Sequence, residues 1–437
     1  MHKAARMNAA NALNAALALM ILYIPYQRHF PVVIEVKGLN LINVMFLIAL
    51  LIIWWRKPAT QLPNVMPLPT PLKWHFSFFI VCLVVSFVIG QFYDSSTFAD
   101  DITSLKTTVF YLLLYFLFYH AVRDIKTIRL LFGVILFVSA IVSLHAFRQA
   151  LDYGLAVYNE TRRASGPFAP DSAGANYAAA FFVIFTPLFI AILTIYKSHP
   201  MLRIISLSCL ILSVVATFFT YSRQAYFILA AQFLIHAIRR SLLFGLLILM
   251  LILGYEVWLP TSVTDRVQMT EQVDEQGEEK LDESTASRFI IWEGAGKLIA
   301  ERPWGLGLNH FKREIGRYVP EYSGYDAHNA YVLITTELGV VGLFSLLLLI
   351  FGLLRLAQKV KRLDKSEDTQ VLGEAFLLSV IGLILCNFFG SRIFDGLITG
   401  NFWILTALVS RYYTLELERQ TTVTKGTNLF VFAGASS

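Results

Sequence analysis

Residues Ala330 to Leu354 read AYVLITTELGVVGLFSLLLLIFGLL, and this run decides the fold class. It is 25 residues long with one charged side chain, Glu337, whereas a helix needs roughly 20 mostly apolar residues to cross the hydrocarbon core. Similar runs recur near 9 to 26, 39 to 55, 74 to 92, 107 to 122, 129 to 147, 177 to 196, 204 to 220, 224 to 238, 241 to 259, 371 to 389 and 395 to 410. Of 437 residues, 56% are hydrophobic and 15% charged, where soluble chains carry about a quarter charged residues. The expectation is an all-α membrane protein of about twelve transmembrane helices. It divides into 1–259 with helices one to nine, a polar loop at 260–329, and 330–437 with three further helices and a tail.

The formal charge of +6 does not point to nucleic acid, because the basic residues are scattered between apolar runs instead of gathered on one polar face. They set orientation instead. Twenty of the 36 Lys and Arg residues fall on the side that also holds both chain ends. Eight of the remainder belong to the long loop, a type of segment that crosses largely regardless of charge. Both termini are therefore expected in the cytoplasm. The first apolar run is interrupted by Asn11 and Asn14 and reads as a spanning helix, not a cleaved signal. Cys82, Cys209 and Cys386 sit in apolar runs without metal-ligand spacing and read as packing residues.

Within the long loop, the acidic stretch Glu271 to Glu283 reads as a solvated linker. Ser284 or Thr285 can then cap a helix with Arg288, Trp292, Ala295 and Ile299 on one face, ended by Pro303 and Gly305. A second amphipathic piece from Asn309 places Phe311, Ile315 and Tyr318 opposite Lys312, Arg313 and Arg317. Two short helices lying at the membrane surface fit this pattern.

The chemistry concentrates where the loop meets the long helix, at Tyr325-Asp326-Ala327-His328-Asn329-Ala330-Tyr331. The positive end of a helix dipole disfavours imidazolium, so His328 should be neutral and able to accept a proton. Asp326 or Asn329 can orient the ring, and Asn329 can equally be the N-cap. Arg163, Arg223 and Arg288 fall at the same membrane face; Arg223 follows Tyr221 and Ser222 in a tight turn between two spans. Guanidinium groups stay charged and bind phosphate oxygens in pairs, so converging arginines suit a lipid diphosphate. Taken singly, each also suits a side chain snorkelling to headgroups. Asp94, Asp100 and Asp101 lack companion metal ligands and read as a solvated loop, and Gly305-Leu306-Gly307 lacks the context of a nucleotide loop. No metal or cofactor is expected.

Between Arg163 and Leu343 the chain resembles the O-antigen ligase and O-antigen polymerase superfamily, which includes bacterial O-oligosaccharyltransferases. The resemblance rests on Arg163-Ala164-Ser165-Gly166-Pro167-Phe168 with Asn176, on Tyr221-Ser222-Arg223, and on Arg288 with Trp292. It continues through Pro303-Trp304-Gly305-Leu306-Gly307-Leu308-Asn309-His310-Phe311 and His328-Asn329-Ala330-Tyr331 to Glu337-Leu338-Gly339-Val340-Val341-Gly342. It implies a GT-C-type glycosyltransferase of the bacterial inner membrane with a periplasmic active site, taking glycan from undecaprenyl diphosphate without metal or nucleotide sugar. His328 then matches the general base that activates an acceptor sugar hydroxyl, with inversion, while Arg223 and Arg288 hold the leaving diphosphate and Arg163 assists. Modest length favours an O-antigen ligase acting on lipid A-core. A polysaccharide polymerase and a protein O-oligosaccharyltransferase use the same donor. A flippase or transporter is the rival from another class, and it would need paired buried charges or repeat symmetry, neither of which is legible here.

Overall fold

The computed structural model describes residues 2–32, 34, 39–55, 68–155, 158–269, 271–273, 279–281 and 283–433, with side chains left aside at 2–9, 271–273, 279–281, 283–284 and 422–433. The first half runs through α1 (His2–Tyr23), α2 (Leu41–Trp55), α3 (Lys73–Tyr93), α4 (Phe98–Ala121), α5 (Ile125–Tyr153), α6 (Ala175–Ile195), α7 (Pro200–Phe218), α8 (Arg223–Arg240) and α9 (Leu242–Leu253). Short α10 (Tyr255–Trp258) and α11 (Thr261–Gln268) follow. Then come strands β1 (Glu271–Val273) and β2 (Glu279–Leu281), α12 (Glu283–Glu301) and the single turn α13 (Phe311–Glu314). The chain closes with α14 (Ala330–Leu363), α15 (Glu367–Cys386) and α16 (Gly396–Ala433).

All twelve apolar runs fall on helices, but they are not equal. Seven helices among the described residues are long and apolar enough to cross a membrane: Lys73–Tyr93, Phe98–Ala121, Ile125–Tyr153, Ser172–Ile195, Pro200–Phe218, Ala330–Leu363 and Glu367–Cys386. Ala10–Tyr26, Leu41–Trp55 and Leu242–Leu253 are apolar but shorter. Large exposed apolar side chains, among them Leu207 and Ile211 on α7 and Leu246 and Leu247 on α9, cover the outside of the bundle. Such a surface suits lipid and not water. Apart from the short β1–β2 pair, the chain is a multi-pass, helical membrane protein.

Three helices form its centre, α6, α15 and α16, the last buried without a break from Gly396 to Ser410. The spanning windows of α6 and α15 are 83% and 78% buried, against 28% for α7 at the periphery. Gln232 of α8 ties this centre together by donating to the carbonyls of Val183 and Leu378 at 2.8 Å each. Successive long helices alternate in direction. One end therefore gathers the turn after α1, the α3–α4 and α5–α6 connections, the α7–α8 turn, the long loop and the α15–α16 connection.

The long loop is folded and docked. α12 spans five turns instead of one short surface piece, and its Ile291, Ala295 and Leu298 pack with Leu306, Phe311, Ile315, Ala327 and Leu333 in a small core of their own. The second piece is the α turn Phe311–Glu314 followed directly by the 3-10 turn Ile315–Arg317, with Phe311, Ile315 and Tyr318 on the side that packs into this core, as expected. Of the acidic stretch, Glu271 pairs with Leu281 across β1 and β2 instead of forming a linker without regular structure, while 274–278 and 282 lie outside the described residues.

The loop is fastened at two places. Leu306 and Gly307 donate backbone hydrogen bonds to the carbonyls of Thr336 and Glu337 at 2.9 and 3.0 Å, and Val340 donates to Pro303 at 3.1 Å. α14 is broken here: Gly339 has φ 73°, and a Cβ on it would lie 2.5 Å from the Trp304 carbonyl carbon. A Cβ on Gly305, at φ 101°, would lie 2.4 Å from the Glu337 oxygen. The second fastening is Asp101, fully buried in the first turn of α4. It accepts from Gln91, Thr97 and Asn309 at 3.0 to 3.1 Å, meets the His310 ring at 3.2 Å, and is paired with Arg313. The reading of Asp94, Asp100 and Asp101 as a solvated loop is thus corrected for Asp101, whose burial is possible because each carboxylate oxygen has several donors.

Candidate active site

The loop end of the bundle holds two groups of charged side chains. The first surrounds His328. Its backbone takes φ 50°, a left-handed turn that histidine tolerates better than most residues. The turn is held from both sides: Asp326 accepts from the His328 amide at 3.2 Å, and Trp292 of α12 donates to the Ala327 carbonyl at 2.8 Å. Asn329 is the N-cap of α14, its side-chain oxygen accepting from the amides of Tyr331 and Val332 at 2.9 and 3.1 Å. Neither candidate orienting residue hydrogen-bonds the ring, since Asn329 is spent on the cap and the Asp326 carboxylate lies 4.0 Å from Nδ1.

Burial lowers the pKa of His328 below its ordinary 6.5; Asp326 opposes this, and Arg288, Arg392 and Lys312 add to it. The imidazole is therefore neutral at pH 7, by desolvation and by three neighbouring cations, with its side chain still 39% exposed.

The second group lies at the α7–α8 turn. Tyr221 takes φ 50°, and Arg223 is the first residue of α8. Arg163, Arg223 and Arg266 all act on the Tyr158 hydroxyl, whose pKa burial raises and these cations pull back. Arg163 is itself held: its Nε donates to the Thr220 carbonyl and its Nη2 to Asn176 Oδ1, both at 2.9 Å. Burial pulls its pKa down, but a guanidinium remains charged. Arg266 lies 4.9 Å from the centre of the Tyr158 ring.

The first turn of α6 connects the groups. Asn176 receives Arg163, and the next residue, Tyr177, has Arg392 at 4.3 Å and Arg28 at 5.3 Å from its ring centre. The buried Nε of Arg392 makes no hydrogen bond among the described residues. The structure thus brings Arg288 to His328, and Arg163 and Arg223 to Tyr158. It adds Arg392, Arg28, Arg266 and Lys312, which sequence reasoning did not select. Arg392 carried one usable signal, an arginine beside Asp395 in a short connection between two apolar runs.

Residues 208–347 match the family model described as O-antigen ligase. This match supports the resemblance to the O-antigen ligase superfamily. The matched segment contains Arg223, Arg288, Asp326, His328 and Asn329, and it ends beyond the Gly339 break. No curated protein matches the chain. The match supports a function of the ligase or polymerase type found in that family of membrane glycosyltransferase-like proteins.

Buried charge also occurs at the opposite end. Glu374 of α15 meets His236 at 3.0 Å and Arg239 at 3.6 Å, and is paired with Lys361. Paired buried charges are therefore present, contrary to the expectation from sequence. They clamp α8, α14 and α15 at the end of the bundle away from His328.

Proposed function

We propose that this protein is an O-antigen ligase that transfers a glycan from undecaprenyl diphosphate to a sugar hydroxyl of lipid A-core at the periplasmic face of the inner membrane. The observation that carries the reading is His328, a neutral and half-exposed imidazole beside Arg288, Arg392 and Lys312 within the family-matched segment. His328 takes the proton from the acceptor hydroxyl. The acceptor oxygen bonds to the anomeric carbon from the face opposite the carrier, the bond from that carbon to the phosphate oxygen breaks, and the diphosphate leaves with the electron pair. The product is inverted. Arg288 and Arg392 stabilise the charge that develops on the leaving group, where fixed cations contribute most. The orphaned Nε of Arg392 is a donor suited to a phosphate oxygen. Arg163 and Arg223 hold the rest of the carrier phosphate through the first turn of α6, Asp326 and Asn329 fix the His328 turn, and Trp292 and Tyr221 support the two groups.

The test is transfer from purified undecaprenyl-diphosphate glycan to lipid A-core, with donor binding measured in parallel at matched folded amount. His328→Ala is expected to lose at least about 10² in turnover while donor binding persists. Arg288→Ala should lose donor affinity, with Arg288→Lys restoring part of it because an ammonium lacks the guanidinium fork. Near-normal turnover in His328→Ala overturns the general-base role. A polymerase uses the same donor with a second carrier-linked glycan as acceptor, and the lipopolysaccharide of a deletion strain separates the two. Loss of the whole ladder with carrier-linked long chains retained indicates the ligase, whereas capping by one unit indicates the polymerase.

A further inference from the structure

A cleft of about 600 Å³ opens between α5, the turn after α1 and the loop at 166–170, and the reaction above makes no use of it. One face of α5 forms its wall: Ile141, Leu144, His145, Arg148 and Asp152 follow at helical spacing. Along that face the lining changes from apolar to charged toward Gly154, where the helix ends at the loop side of the bundle. His29 joins from the other wall, its ring centre 4.9 Å from that of His145, and Tyr26 stacks on the same His145 ring at 6.0 Å. Arg148 and Asp152 are one turn apart and yet form no ion pair among the described residues. Their charges are available to the cleft.

The cleft is separated from Arg163, of the second group, by a single loop. On the cleft side, Gln149 accepts from the amides of Ser165 and Gly166 at 2.8 and 2.9 Å. On the other, Arg28 donates to the Phe168 carbonyl at 3.3 Å, and Arg163 reaches Asn176.

We propose that this cleft binds the anionic sugar head of the glycolipid acceptor, with an acyl chain lying along Ile141 and Leu144. The proposal rests on the transfer reading above and gives the acceptor a site of its own. A graded face at a helix end is complementary to an amphiphile standing at the membrane boundary. Arg148 and the two imidazoles offer donors to phosphate or carboxylate groups, and the Asp152 carboxylate accepts from sugar hydroxyls. A single phospholipid headgroup would leave most of that donor and acceptor set, and much of the volume, unused.

The experiment places a benzophenone amino acid at Leu144 in the full-length protein, held in phosphatidylcholine and phosphatidylglycerol nanodiscs with purified lipid A-core. Capture of lipid A-core is expected, also in the His328→Ala background, since binding does not need chemistry. Arg148→Gln should reduce capture and raise the acceptor KM about tenfold, the size of one charge-assisted hydrogen bond. The donor KM and the rate at saturating acceptor should stay unchanged. His145→Ala provides a second variant should Arg148→Gln not fold. Capture of phosphatidylglycerol alone, or an unchanged acceptor KM in both variants, overturns the proposal while leaving the transfer reading intact. Capture of lipid A-core by a wild-type protein that transfers nothing to it would support the site and sink the ligase reading.

Discussion

At the scale of single residues, the environment of His328 makes its acid limb adjustable in both directions. A general base must be neutral, so turnover falls as pH drops through its pKa, and that pKa lies below 6.5. Arg288 lowers it and Asp326 raises it. Arg288→Gln is therefore expected to move the acid limb of kcat to higher pH, and Asp326→Asn to lower pH. Profiles of kcat against pH for the three proteins check this; a limb that stays in place in both variants belongs to another group. Arg163 is different, because two of its five N–H groups are already spent on Thr220 and Asn176. Its guanidinium is as much a clamp between the α5–α6 loop and the α7–α8 turn as a phosphate ligand. The motif around Arg163 and Asn176 marked the place in the sequence, but the bond between them depends on a fold that brings α6 against the preceding loop.

At the scale of elements, the fastening of the long loop controls the site, since the loop carries Arg288, Trp292 and Lys312 to the N-terminus of α14. Asp101→Asn leaves Arg313 with only the more distant Asp94, at 3.9 Å, as a carboxylate partner. Breaking a fully buried pair costs about 3 to 5 kcal/mol, and the cost here should be about 2 kcal/mol because Arg313 is 29% exposed. Faster hydrogen exchange across Asn309–Arg317, with the α6 and α15 core unchanged, is the expected result. Gly339→Ala should be harsher, since it meets both a positive φ and the Trp304 backbone. The helices were legible because period and apolar length are local properties. The fastenings were not, because Asp101 meets His310 and Arg313 across more than 200 positions of chain. An aspartate in a short polar connection reads as solvated unless its partners are known. The same reason hid Arg392, which gains its place beside His328 from the packing of α15 and α16 around α14.

At the scale of the whole molecule, the two ends of the bundle do different work. One end collects His328 and the arginines; the other is clamped by Glu374, and by Asp368 with Tyr196 and Arg129. The orientation is checked by single cysteines in a background lacking Cys82, Cys209 and Cys386. A residue at Lys297 should react with an impermeant reagent from outside and one at Arg362 should not; the reverse pattern would put the proposed reaction on the cytoplasmic side. The joint between the long loop and α14 has a consequence for diversity among such proteins. Apart from the Glu337 carboxylate, which accepts from the Phe311 amide, its hydrogen bonds join main-chain atoms, and its geometric demand falls on Gly305 and Gly339. Main-chain hydrogen bonds of this kind do not depend on the identity of the side chains that carry them. A loop can thus be rebuilt for a different saccharide while its attachment to the helix that carries the base is inherited intact.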